Sequence, residues 1–113
     1  MREFVEIRSY NLKPGTRAEF YRVASAESIP MLKRWGVDVV TFGPSPPPHD
    51  SDTYYLIRAY QSLADRQASQ DTFYGSAEWR DGPRAAMVAP IVSYTSIVIE
   101  MEPQVVDALR VNS

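Results

Sequence analysis

Glu3-Phe4-Val5-Glu6-Ile7-Arg8-Ser9-Tyr10, running on into Asn11-Leu12-Lys13-Pro14-Gly15, is the stretch that decides the fold class. Val5 and Ile7 alternate with Glu6, Arg8 and Tyr10, the two-residue period of a half-buried strand, and Lys13-Pro14-Gly15 supplies a turn. A helix follows: Thr16 and Glu19 have the spacing of a capping box, which predicts a start at about Thr16. Phe20, Val23, Ala24, Met31, Leu32 and Trp35 then recur at helical spacing, with Arg17, Arg22 and Lys33 on the wet face. Pro30 lacks an amide hydrogen and predicts a kink or division near Ile29.

Working outward, Gly36 stops the helix and residues 37–43, rich in β-branched side chains, read as a second strand. Residues 44–52 hold Pro44, Pro46, Pro47 and Pro48 and must be a surface connection, because proline cannot donate to a sheet ladder. Residues 53–61 read as the third strand. Ser62 with Asp65 caps a second helix that runs through Ala68 toward Tyr74 and ends at Gly75. Ser76 opens a short turn carrying Glu78 and Trp79, and Gly82-Pro83 breaks it, so the region reads as two short helical pieces. Residues 91–101 are the fourth strand. The order is that of a ferredoxin-like βαββαβ α+β domain over residues 1–102, with an antiparallel four-stranded sheet and helices on one face; residues 103–113 form a tail, arm or short helix.

The chain has 113 residues, enough for one core. Its net charge of −2 with scattered basic residues points away from nucleic acid and membrane surfaces as partners. With no cysteine, disulfides, thiolate nucleophiles and cysteine-ligated metals drop out. The first residues alternate charged and apolar side chains where a signal peptide needs an apolar run, so a cytoplasmic setting is the expectation.

Helices on one face leave the other to be covered. Phe4, Glu6, Arg8 and Tyr10 share a face with Tyr54, Leu56, Arg58 and Tyr60, joined by Tyr94, Ser96 and Val98. The opposite face carries Val5, Ile7, Tyr55, Ile57, Ala59, Ile97 and Ile99, and looks better suited to packing under helices. That assignment leaves the mixed face exposed, too apolar to stay wet, and predicts a homodimer in which two such faces meet.

Two motifs resemble the NIPSNAP family. Glu6 to Gly15 matches its Glu-x-Arg-x-Tyr-x-Leu-x-Pro-Gly string, and Arg58-Ala59-Tyr60-Gln61-Ser62-Leu63-Ala64-Asp65-Arg66, with Glu78-Trp79 downstream, is similar to its Arg-Tyr-x-Ser-x-x-x-Arg segment. Ile57 stands where the family often has Trp, and the run Pro46 to Pro48 is this chain's own. The resemblance implies a dimeric α+β barrel and brings no settled activity.

Glu6, Arg8 and Arg58 form a candidate ion-pair cluster, either a network that fixes register or a clamp for an anionic ligand. The structural reading is preferred, since the acid lies in the same strand. Tyr10, Tyr54, Tyr60, Tyr74 and Tyr94 either line a cavity for a flat aromatic molecule or serve as core and interface rings, with the core role preferred. His49, the sole histidine, stands between three prolines and Asp50 and reads as an exposed loop residue rather than a metal ligand. Trp35 and Trp79 are expected to anchor helices on the sheet, and Arg66 to pair on the helix surface with Asp65 and Glu78. No nucleophile elbow, phosphate loop, metal motif or cofactor motif occurs in the sequence. The sequence thus points to a barrel protein holding a small aromatic or anionic molecule; the alternatives are a cofactor-independent monooxygenase or isomerase acting on an aromatic polyketide-like substrate, and a purely structural role.

Overall fold

A computed structural model describes residues 4–46 and 52–110. The alternating N-terminal segment is β1 (Phe4–Leu12), and it lies inside the sheet, between β3 (Thr53–Tyr60) and β4 (Ile91–Glu100). With β2 (Asp38–Pro44) at the far edge the order is β2-β3-β1-β4, antiparallel throughout. The topology is ferredoxin-like.

The first helical region is α1 (Arg17–Val23), one π-helical segment at Ala24–Ser28, and α2 (Ile29–Arg34). Pro30 falls in the first turn of α2, where a missing amide hydrogen costs least, so the division expected near Ile29 takes the form of a widened turn. Thr16 precedes α1 without the expected side-chain cap. Its hydroxyl donates back to the Lys13 carbonyl at 2.6 Å, and Glu19 pairs with Arg22 instead of reaching back to the helix start. Gly36, at φ +82°, ends α2 in a conformation open mainly to glycine.

Ser62 does cap α3 (Leu63–Tyr74): its Oγ accepts from the Asp65 amide at 3.0 Å, while the Asp65 carboxylate accepts from the Gln61 amide at 3.0 Å. Beyond Gly75 come α4 (Ala77–Asp81) and, past Gly82-Pro83, α5 (Arg84–Val88), a third piece where the sequence pattern showed two. The segment from Pro103 is α6 (Pro103–Leu109), tied to β2 by Arg110, whose guanidinium donates to both Asp38 carboxylate oxygens at 2.8 Å. Among the described residues no helix is long and apolar enough to cross a membrane.

The two sheet faces group as the sequence predicts, but their cover is the reverse. Register places Glu6 opposite Arg58 and Val98, Arg8 opposite Leu56 and Ser96, and Tyr10 opposite Tyr54 and Tyr94. Over β1 and β3 this mixed face lies under the helices, where Tyr10, Tyr54, Leu56 and Tyr60 pack with Phe20, Val23, Leu32 of α1 and α2, with Phe73 of α3, and with Trp79 and Met87 beyond it, while Tyr94 and Val98 of β4 stay exposed. On the apolar face Val5, Val40 and Ala59 are buried with Val106 of α6, and Ile7 and Ile57 are half-buried against them. Ile97 and Ile99 are 56% and 38% exposed. The reason lies in α3, which buries only Phe73 among its apolar residues and exposes Leu63, so it cannot seat on an apolar surface.

Replacing Ser62 by alanine removes the one side-chain cap of α3. Urea unfolding is expected to register a loss of about 1 kcal/mol.

Candidate functional site

Glu6 sits on a central strand with no exposed surface, so its carboxylate must be satisfied by protein groups. Across the strand pair, Arg58 donates to Oε1 through Nε at 3.1 Å and Nη2 at 2.6 Å. Along β1, Arg8 Nη2 donates to Oε2 at 2.9 Å. From above, α3 presents Arg66, Gln70 and Tyr74 at intervals of four residues, one stripe of the helix. Arg66 Nη2 donates to Oε2 at 2.8 Å and Gln70 Nε2 to Oε1 at 2.9 Å, while the Tyr74 hydroxyl accepts from Arg58 Nη1 at 2.8 Å. Gln70 also donates to the Tyr60 hydroxyl at 3.2 Å.

Burial on its own raises the Glu6 pKa, but Arg58, Arg66 and Arg8 together outweigh it and hold the carboxyl at about 2. One carboxylate thus faces three guanidinium groups. Of the three, Arg8 also stands at the wall of a cavity.

That cavity, about 450 Å³, lies between the mixed sheet face and the helices. Tyr10, Tyr54 and Leu56 form its floor, Phe20, Ile29 and Leu32 one side, and Phe73, Tyr74, Trp79 and Met87 the other. Arg8 lines it too, its guanidinium carbon 4.7 Å from the centroid of the Tyr94 ring. Arg84, Val88 and Tyr94 are exposed lining residues, so the cavity meets solvent beside α5 and β4. Two buried atoms of the lining residues, Arg8 Nε and the Tyr54 hydroxyl oxygen, have no hydrogen-bond partner. Burial pushes the Tyr10 phenol up to about 12 and that of Tyr54 higher still, so both are neutral donors at ordinary pH.

Of the residues singled out from sequence, Arg8, Tyr10, Tyr54 and Tyr94 line the cavity, as does Tyr74. Glu6, Arg58 and Tyr60 do not; they are the fully buried layer beside it. Arg66 belongs to the Glu6 cluster and not to a surface pair with Asp65 and Glu78. Glu78 instead accepts from Arg34 and from the Trp35 indole, so Trp35, 40% exposed, ties α2 to α4 and does not anchor on the sheet. Trp79 is buried against Phe73 and Tyr74. His49 lies outside the described residues. Gln70 and Arg84 were not legible as site residues, although the Arg66, Gln70, Tyr74 spacing carries the signal for the first. Among the described residues no three His, Cys, Asp or Glu side chains are placed to hold a metal ion.

The NIPSNAP family profile matches residues 5–99. Among solved structures, the chain is similar to a NIPSNAP family protein with unknown function from Agrobacterium tumefaciens str. C58: TM-score 0.79, 22% identity, covering 88% of this chain and 87% of that one. An uncharacterized NIPSNAP-like domain protein from Burkholderia xenovorans aligns at TM-score 0.80 and 18% identity over 90% and 87% of the two chains. A candidate antibiotic biosynthesis monooxygenase from Bordetella bronchiseptica aligns at TM-score 0.69 and 18% identity over 90% and 99%. At these identities the structural likeness speaks to fold. No curated protein matches the chain.

Substituting Glu6→Gln leaves three buried or half-buried guanidinium groups without their counter-charge, and the expected loss is about 3–5 kcal/mol in urea unfolding. Because the folded-state pKa is depressed, the stabilisation is complete above the unfolded carboxyl's range near 4.5 and is lost as pH falls toward about 2. Unfolding midpoints measured across that window should fall more steeply for the parent protein than for Glu6→Gln.

Proposed function

The chain belongs to the NIPSNAP family, and on that premise we propose that it acts as a homodimer whose protomers each hold a small molecule in the cavity between helices and sheet. The observation that carries the ligand reading is the cavity itself. Its volume falls within the range of small-molecule sites, and its wall is mostly aromatic and aliphatic with a few polar groups, the usual composition of such sites. A core serving packing alone would fill that space, since protein interiors are close-packed.

The dimer reading moves to the face away from the helices. Ile7, Ile57, Ile97 and Ile99 lie on three neighbouring strands and form a band that α6 covers in part, leaving Ile97 and Ile99 exposed. A second copy of the same sheet, meeting it around a two-fold axis, covers both bands at once. This replaces the mixed face, which the helices occupy, as the dimer surface.

Light scattering should give twice the 12.8 kDa chain mass. Ile97→Lys, at an exposed position, should return a folded monomer; a parent protein that stays monomeric at micromolar concentration refutes the dimer. For the cavity, a thermal-shift screen of small aromatic compounds should find a saturable stabiliser, worth about 2.7 kcal/mol at a hundred times its Kd. Conversion of such a compound into product would replace the binding reading with the oxygenase or isomerase one.

A further inference from the structure

We infer that the cavity selects apolar or aromatic carboxylates, with Arg8 as the group that anchors the acid. The inference rests on the cavity reading above and narrows it to a ligand class.

Arg8 is 9% exposed, and its Nε carries a hydrogen that meets no acceptor. The guanidinium also faces the Tyr10 hydroxyl, which leaves Nε unmet, and Glu6 cannot take its hydrogen. Glu6 already receives Arg58 and Gln70 on Oε1 and Arg8 and Arg66 on Oε2, so both its oxygens are committed. An unmet donor in a buried guanidinium is costly, and an incoming carboxylate relieves it with a charge-assisted hydrogen bond. The charge balance favours the same ligand, since one carboxylate stands against three arginines. Arg84, exposed at the solvent side of the cavity, adds a fourth positive group in the path of entry.

The rest of the wall sets the body of the ligand. Phe20, Leu56, Phe73 and Met87 offer apolar surface, and Tyr54 adds one further unpartnered hydroxyl. A small, heavily hydrated anion has nothing to gain there, whereas an aromatic ring with one carboxylate matches both parts.

The test compares 2-naphthoate with its neutral isostere 2-naphthalenemethanol, each titrated into the full chain by calorimetry. The expected result is saturable binding of naphthoate with a Kd about tenfold or more below that of the alcohol. In Arg8→Gln that preference should collapse to within about twofold while alcohol binding persists, and in Arg8→Lys, which keeps the charge, a preference should survive. Equal binding of the two probes to the parent protein overturns the carboxylate class and leaves the cavity reading intact. Undiminished preference in Arg8→Gln overturns the role of Arg8. Failure of both probes to bind counts against the cavity reading itself and takes this inference with it. Should Arg8→Gln not fold, the parent comparison together with Arg8→Lys still decides the class.

Discussion

A carboxylate with no exposed surface, placed on a central strand, has to find its partners inside the protein, and Glu6 finds them on three sides. Arg58 comes from the neighbouring strand, Arg8 from its own, and Arg66 and Gln70 from α3 above. The last two contacts matter most for the architecture. Helix α3 is polar, burying only Phe73 among its apolar residues, so ordinary hydrophobic seating cannot choose its place on the sheet. The stripe of Arg66, Gln70 and Tyr74 makes the choice, because it meets its complement only on the face that carries Glu6 and Arg58. A buried ion cluster is not by itself a strong source of stability against an apolar alternative. Here its part is to decide which face of the sheet the helices cover.

Two consequences follow from that choice. The apolar face, with Ile7, Ile57, Ile97 and Ile99, is turned away from the helices, with α6 closing one part of it, and this is the surface offered to a second copy. On the covered side, part of the mixed face is given to ions and the rest to large rings: Tyr10, Phe20, Tyr54, Phe73 and Trp79 pack edge to face or tilted, with centroids 5.0 to 5.7 Å apart where they meet. Such rings frame a space instead of filling it. Arg8 belongs to both regions, bonded to Glu6 on one side and lining the cavity on the other. The site and the fold therefore share a residue.

The alternation of Val5 to Tyr10, the Ser62 cap, the Pro30 division and the order of elements were all legible in the sequence, because each depends on neighbours within a few positions. The grouping of residues by face was legible too, since a strand's period is two. What failed was the rule that the more apolar face lies under helices. That rule assumes an apolar helix, and the polarity of α3 was the missing premise. Arg66 read as a surface residue for the same reason: its partner lies 60 positions away on β1, beyond any local pattern. The cavity is less legible still, because an unfilled volume is a property of eight elements and the π-helical segment packed together, and a tyrosine at the cavity wall has the same sequence pattern as a tyrosine in the core.

The fold depends on the contact between sheet and helix through Glu6. A double-mutant cycle on Glu6 and Arg66, using glutamine at each position and urea unfolding at fixed protein concentration, measures that contact apart from the other two arginines. A favourable coupling of about 1–3 kcal/mol between them is expected. Additive effects, with no coupling beyond error, would contradict it.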